Sequence, residues 1–180
     1  MNSHNSNSHL FVSLARQSIT YFLTNHQVLA TPPKLPRQFS TRAGTFVSLH
    51  LKGTGSLRGC IGTFLPTRKN ISEEIIFNAL AAAIEDPRFP PLTLAELPNI
   101  EISVDVLSPP KIVPQKMMLD TKKYGLIVST TDGRRGLLLP EIEGIDTVEE
   151  QERICRLKAG IGPEEPLARH YFTVKRYKEE

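Results

Sequence analysis

The chain has 180 residues, of which 39% are hydrophobic and 23% charged, and its formal net charge at neutral pH is +3. This composition is typical of one globular domain and argues against disorder, a fibrous repeat or a second independent fold. The longest apolar runs are far shorter than the roughly 20 residues of a membrane span, and the polar N-terminus lacks the apolar centre of a secretion signal. We therefore expect a cytoplasmic protein that has no contact with membranes.

Basic residues are spread along the chain as short pairs, such as Lys122–Lys123 and Arg134–Arg135. A nucleic-acid surface usually gathers positive charge on one face or along one helix. We therefore interpret these pairs as solvated surface, and nucleic-acid binding is not expected.

The N-terminal segment separates into a tail, a helix and a connection. Residues 1–8 are small and polar, so they are predicted to be a disordered tail that precedes a folded domain over residues 9–180. Apolar residues recur at helical spacing over about residues 9–27 and predict the first helix. Prolines then predict an extended connection over residues 30–41.

A hairpin and a helix are predicted next. Residues 45–51 alternate between apolar and polar side chains, and a Gly-Thr-Gly-Ser turn leads into a returning strand over residues 57–64. Asn70 and Glu73 have the spacing of a capping box before an apolar, alanine-rich run. We therefore predict a helix over residues 71–85.

The rest of the chain predicts more strands and a last helix. Alternation is clearest from residue 100 to residue 107, and Thr147 with Glu150 could cap a helix that runs to residue 159. The remaining predicted elements are a hairpin over residues 124–130 and 136–139 and a short final strand over residues 171–177. Helices and mostly antiparallel strands without a βαβ rhythm predict an α+β fold.

The segment LRGCIG at residues 57–62 is the main candidate for chemistry. Alternation along a strand places Arg58 and Cys60 on one face, about 7 Å apart at their Cα atoms, where a guanidinium would favour the reactive thiolate. Gly59 and Gly62 indicate a close approach of a ligand or of another backbone. The alternative is that Cys60 is a packed core residue, since free cysteines are commonly buried.

The other cysteine and the histidines carry less signal. Cys155 lies in a predicted helix between apolar residues and is interpreted as a small core residue. Neither cysteine belongs to a Cys-x-x-Cys or Cys/His cluster, so no metal site is predicted. His50 and His170 have no visible nucleophile or ligand partner. Neither glycine-rich nucleotide-binding consensus is matched, so the sequence assigns no cofactor.

Asp86 and Arg88 lie on a proline-framed turn and allow two interpretations. Arg88 could bind an anion while Asp86 orients it, because loops on rigid scaffolds often carry sites. Alternatively, the two side chains form a salt bridge that ends the preceding helix and shapes the loop.

Four motifs in order make a specific pattern: LRGCIG at residues 57–62, DPRFPPL at 86–92, IEISV at 100–104 and RGLLLP at 135–140. Over about residues 10–178 the chain closely resembles the AMMECR family, in the prokaryotic branch called AmmeMemoRadiSam system protein A. The resemblance implies one domain of two unequal lobes, with the glycine-cysteine segment facing a cleft between them. It also implies a Memo-type protein and a radical S-adenosylmethionine enzyme as partners. Glu141 stands where the family pattern leads us to expect glutamine, which puts any contact of that residue in doubt.

Two functional hypotheses follow. In the first, the chain is an enzyme or enzyme subunit in which Cys60 is a nucleophile or redox thiol, Arg58 stabilises its thiolate, and Arg88 and Arg135 hold a small anionic substrate. In the second, the chain is a non-catalytic adaptor in which Cys60 is packed. An adaptor should show an exposed apolar patch beside the glycines.

Overall fold

The computed structural model describes residues 5–34, 36–115 and 117–179, with side chains from residue 10 onward. Contacts within this part of the chain form two compact units: the first runs to Val106 and resumes at Lys175, and the second runs from Leu107 to Val174. Helices and antiparallel strands occur together, which confirms the α+β class. None of the described helices combines the length and apolarity needed to cross a membrane.

Three α-helices and eight strands are found in the described residues. The helices are α1 (Asn5–Asn25), α2 (Ile71–Ile84) and α3 (Val148–Ala159). The strands are β1 (Thr45–Leu51), β2 (Leu57–Thr63), β3 (Ile100–Leu107), β4 (Lys111–Ile112), β5 (Gly125–Ser129), β6 (Arg135–Leu138), β7 (Ala168–Phe172) and β8 (Val174–Lys178). Short 3-10 turns cover Arg37–Ser40 and Leu97–Asn99.

The first unit is a four-stranded sheet in the order β2-β1-β3-β8, with α1 and α2 packed against it. β1 pairs antiparallel with both β2 and β3. Its core joins alternate residues of β1 and β3 to apolar residues of both helices, including Val47, Leu49, Ile102, Val104, Ala15, Ile19, Ile75 and Ala79. The opposite face of the sheet is therefore free to carry polar side chains.

The second unit has its own sheet, in the order β4-β7-β5-β6, and its own core beneath α3. Leu126 and Val128 of β5 pack with Leu138 of β6 and Cys155 of α3. Cys155 is fully buried, which confirms its prediction as a small core residue.

Local capping signals predicted two helices well. The side chain of Asn70 accepts a hydrogen bond from the Glu73 nitrogen at the start of α2, and Thr147 does the same for Glu150 at the start of α3. These bonds satisfy donors that the first turn of a helix leaves free.

Other boundaries differ from the predictions. α1 begins at Asn5 rather than near residue 9, and residues 1–4 lie outside the described part, so the disordered tail stays a prediction. The final strand is two strands, β7 and β8, which belong to different sheets. The chain changes sheets at Thr173, whose nitrogen and oxygen both bond to Ser108, so its backbone is satisfied outside a ladder. The two-residue strand β4 is too short to show an alternating pattern in the sequence.

Candidate functional site

A row of three polar side chains crosses the first sheet. The register of the strands places Ser48 of β1 opposite both Cys60 of β2 and Ser103 of β3. Directly paired residues share a face of a sheet, and Val47 and Leu49, which alternate with Ser48, belong to the core. This polar row (Cys60, Ser48, Ser103) therefore lies on the face away from the core. Within this row, the Ser48 hydroxyl donates a hydrogen bond of 3.2 Å to the Cys60 sulfur.

Charged groups continue this polar face. His50 of β1 is opposite Glu101 of β3, and Arg176 of β8 donates two hydrogen bonds, of 2.7 and 2.9 Å, to buried Asp105. Partial burial lowers the pKa of His50, against the opposing effect of Glu101. His50 is therefore largely uncharged at neutral pH.

The guanidinium that contacts Cys60 is that of Arg88. Its Nη2 donates to the Cys60 carbonyl oxygen at 3.2 Å, while the Cys60 nitrogen donates to the Asp86 carboxylate at 2.8 Å. Since β2 is an edge strand, these two side chains bond backbone groups that no neighbouring strand pairs. The loop after α2 thus bonds both main-chain groups of Cys60, its N–H and its carbonyl oxygen.

Asp86 and Arg88 also form a close ion pair. Arg88 donates to both carboxylate oxygens of Asp86, at 2.9 Å from Nε and 2.7 Å from Nη2. Hydrogen bonds from the Arg88 side chain, and then from the Cys60 and Arg88 nitrogens, outweigh burial and hold the pKa of Asp86 well below its usual range. The bond to Asp86 likewise raises the pKa of Arg88. The pair shapes the loop, as one interpretation predicted, and the Arg88 side chain remains 54% exposed and open to a ligand.

Arg58 has a different partner from the one its spacing predicts. The register places Leu49 opposite Gly59 and His50 opposite Leu57, so a bulge at Arg58 breaks the alternation. Arg58 is only 8% exposed, and its Nε and Nη2 both lie 3.1 Å from an oxygen of Glu96. Among the described residues, the Arg58 guanidinium therefore pairs with the Glu96 carboxylate.

The two glycines of the motif have packing roles. A Cβ atom on Gly59 would lie 2.1 Å from the carbonyl oxygen of Ala82 in α2, and one on Gly62 would lie 2.3 Å from the ring of Phe46. Real side chains do not tolerate such distances. Of the two predicted causes, the close approach of other protein atoms is the one that the structure shows.

Arg135 and Glu141 belong to the second unit, whereas the other candidates belong to the first. Arg135 begins β6 and is exposed. Glu141 is exposed in a loop, has a left-handed backbone with φ of 60°, and donates from its nitrogen to the Thr121 oxygen at 2.9 Å. Next to Arg135, a Cβ on Gly136 would lie 1.9 Å from the Cys155 oxygen of α3, so this Arg-Gly pair repeats the close packing of Arg58-Gly59.

A groove of about 970 Å³ in the second unit contains none of the predicted site residues. It lies between α3, β7 and the loop after β4. Within it, Glu152 accepts hydrogen bonds from Arg156 at 2.9 Å and Arg169 at 2.5 Å. Glu152 therefore holds both guanidinium groups within the unit and balances one of their two positive charges.

The two thiols differ in their surroundings. Cys155 is 0% exposed and its sulfur donates to the Leu126 oxygen at 3.5 Å. Burial raises the pKa of Cys155 to about 12. Cys60 is partly exposed, and its sulfur accepts a hydrogen bond from the Ser48 hydroxyl. Sequence patterns identified Cys60 but missed Ser48, because only the strand register places Ser48 opposite it. His50, for which the sequence showed no partner, lies on the same face of β1 and pairs with Leu57.

Comparison with known proteins matches most of the chain. The AMMECR1 family model covers residues 12–180. A protein of Thermotoga maritima is 52% identical over 173 residues, covering 94% of this chain and 98% of that protein. Protein CA_C1420 of Clostridium acetobutylicum is 46% identical over 94% of this chain, which spans 36% of its length. The crystal structure of the uncharacterized protein PH0010 from Pyrococcus horikoshii, 31% identical, superimposes with a TM-score of 0.86 over 96% of this chain and 91% of that one.

Proposed function

This chain belongs to the AMMECR1 family, and we propose that it is an enzyme, or the catalytic subunit of one, whose reactive group is the Cys60 thiol. One observation carries the proposal. A partly exposed sulfur accepts a hydrogen bond from Ser48 while its own peptide is held by Asp86 and Arg88. A nucleophile needs such fixed placement, together with donors that stabilise negative charge on sulfur.

The neighbouring groups supply the parts that nucleophilic chemistry requires. The Ser48 hydroxyl already donates to the sulfur, and a bond of this kind strengthens when the acceptor becomes an anion. His50 lies two residues from Ser48 on the same face, and its lowered pKa keeps it able to accept a proton near neutral pH. In the proposed chemistry the thiol proton of Cys60 passes through solvent to His50, and the sulfur adds to a carbonyl carbon of the substrate while the carbonyl π electron pair moves onto the oxygen. Arg88 faces the bound substrate.

The proposed partners come from the family resemblance. A Memo-type protein would share a reaction sequence with this chain, and a radical S-adenosylmethionine enzyme would supply or consume its substrate. The proposal requires a reduced thiol and therefore a reducing compartment such as the cytoplasm. Co-purification of the full-length chain with each partner tests this part separately from the chemistry of Cys60.

Competitive alkylation of the two cysteines tests the central proposal. Native protein is treated with iodoacetamide from pH 5 to 9, and labelling of each cysteine is followed by mass spectrometry. We expect Cys60 to react at least about tenfold faster than Cys155, since thiolate access controls the rate. Arg88→Met should slow Cys60, whereas Arg153→Met, which removes an exposed arginine of α3, should not. Equal labelling of the two cysteines would leave only the adaptor hypothesis.

Two exposed leucines beside the glycine-cysteine segment favour the adaptor alternative. Leu57 and Leu65, which flank the glycine-cysteine segment, are 38% and 42% exposed. Apolar side chains at such positions could contact a protein partner. If Leu57→Ser abolishes co-purification with a partner while Cys60→Ser does not, the adaptor hypothesis is favoured.

A further inference from the structure

One guanidinium nitrogen beside the candidate site lacks an acceptor. Arg58 uses Nε and Nη2 on Glu96, but its Nη1 is buried and has no hydrogen-bond partner among the described residues. A buried donor that remains unpaired costs about 1–3 kcal/mol, and more when it is charged. Such an atom therefore indicates that an acceptor from outside the described chain completes it.

The surroundings of Arg58 link it to the Cys60 site. Its guanidinium carbon lies 6.0 Å from the centre of the Phe89 ring, and that of Arg88 lies 5.4 Å from the same centre. Arg88 in turn bonds the Cys60 carbonyl. The Phe89 cluster (Arg58, Phe89, Arg88) thus places two planar guanidinium groups around one half-buried ring, next to the thiol-bearing strand.

We propose that the Phe89 cluster binds an oxyanion, with one oxygen accepting from Arg58 Nη1 and another facing the exposed side of Arg88. The planar guanidinium group of arginine can donate two hydrogen bonds at once to the oxygens of a carboxylate or a phosphate, which suits it to bind these anions. Nη1 is enclosed in the free protein, so binding requires the Arg58 side chain to shift until one ligand oxygen can accept from it. The rest of the ligand stays near the exposed Arg88 side chain. The inference rests on the proposed function, for which it names the substrate class: a small molecule that carries a phosphate or carboxylate group.

An NMR titration with inorganic phosphate tests the oxyanion site. The full-length chain, ¹⁵N-labelled and carrying Cys60→Ser, is titrated at constant ionic strength kept with chloride. We expect saturable shifts in the amides of Arg58 and Phe89. Arg58→Lys keeps a positive charge beside Glu96 but lacks the additional N–H donors of the guanidinium group. It should therefore raise the apparent Kd for phosphate at least about tenfold. Arg153→Lys is the matched control and should leave the Kd unchanged. A parallel titration with acetate distinguishes a carboxylate ligand from a phosphate.

A second variant keeps the test decisive if Arg58→Lys fails to fold. Glu96→Gln removes a neighbouring negative charge, while its amide oxygen can still accept from Arg58, so it should tighten binding of the preferred anion several-fold. Absence of saturable shifts with both anions, or an Arg58→Lys protein that binds as tightly as its parent, would mean that water completes Nη1, and would overturn the proposal. Because the titration uses protein without the Cys60 thiol, its failure is separate from a failure of the alkylation experiment.

Discussion

The main-chain nitrogen of Cys60 donates a hydrogen bond of 2.8 Å to the carboxylate of Asp86, 26 residues further along the chain. The bond ties the edge strand of the first sheet to the loop after α2. Through the same carboxylate, Arg88 is turned toward the Cys60 carbonyl. A single buried acid thereby positions both the candidate nucleophile and its neighbouring cation.

Replacing Asp86 should cost both stability and placement of the site. Asp86→Ala leaves the Cys60 nitrogen and the Arg88 guanidinium without their acceptor. Because the Arg88 side chain is half exposed and can turn to solvent, the cost is mainly that of the unpaired Cys60 nitrogen, about 1–3 kcal/mol. Urea unfolding at pH 7 measures this loss. Asp132→Ala removes an exposed carboxylate that pairs with Arg134 in a turn and should have little effect.

The same acid should make the stability depend on pH. Because its pKa is lowered in the folded chain, Asp86 contributes stability that is present above about pH 4, the value of an unfolded aspartate. That contribution is lost as pH falls toward the folded pKa. The free energy of unfolding should therefore differ less between pH 7 and pH 3 for Asp86→Asn than for the wild type. Equal differences would mean that the ion pair is not formed in solution.

The motif glycines should be intolerant of any side chain. Gly59→Ala forces a methyl group against the Ala82 carbonyl of α2, and overpacking of this kind costs about 1–3 kcal/mol. Gly136→Ala should behave alike in the second unit, because it meets the Cys155 carbonyl. Gly162→Ala, whose added methyl has no neighbour closer than 3.6 Å, should change stability by less than about 0.5 kcal/mol. Thermal unfolding of the three variants measures these effects. A Gly59→Ala protein as stable as the wild type would mean that Gly59 does not face α2.

Cys155 should weaken the fold at alkaline pH. An accessible thiol ionises near 9.0, whereas the buried Cys155 has a pKa of about 12. Its contribution is therefore complete below pH 9 and is lost as pH rises from 9 to 12, because the unfolded chain releases the proton first. Over that range the free energy of unfolding should fall by up to about 1.4 kcal/mol per pH unit more for the wild type than for Cys155→Ala. Parallel slopes in denaturant unfolding would show that the thiol is accessible in the folded chain.

Local patterns were enough to predict much of the fold. Alternation predicted β1 and β3, the Gly-Thr-Gly-Ser turn predicted β2 as a returning strand, and capping residues predicted the starts of α2 and α3. These signals lie within a few residues of one another, so no tertiary contact is needed to find them. The LRGCIG motif likewise identified Cys60 without any structure. The division into two sheets was not predictable, because β7 and β8 read as one strand until their separate partners are known.

The residue types available for chemistry can be listed from the sequence: a thiol between two glycines, an acid and an arginine on a proline-framed turn, and a second arginine beside the thiol. Which of these residues contact one another depends on the tertiary structure. A bulge in β2 turned Arg58 to Glu96, and the loop after α2 brought Arg88 to Cys60. Alternation extrapolates a regular strand and so cannot anticipate a bulge, whose extra residue is set by the register with β1. Contacts between residues 26 or 28 positions apart depend on how α2 packs on the sheet, and no spacing within the sequence records that packing.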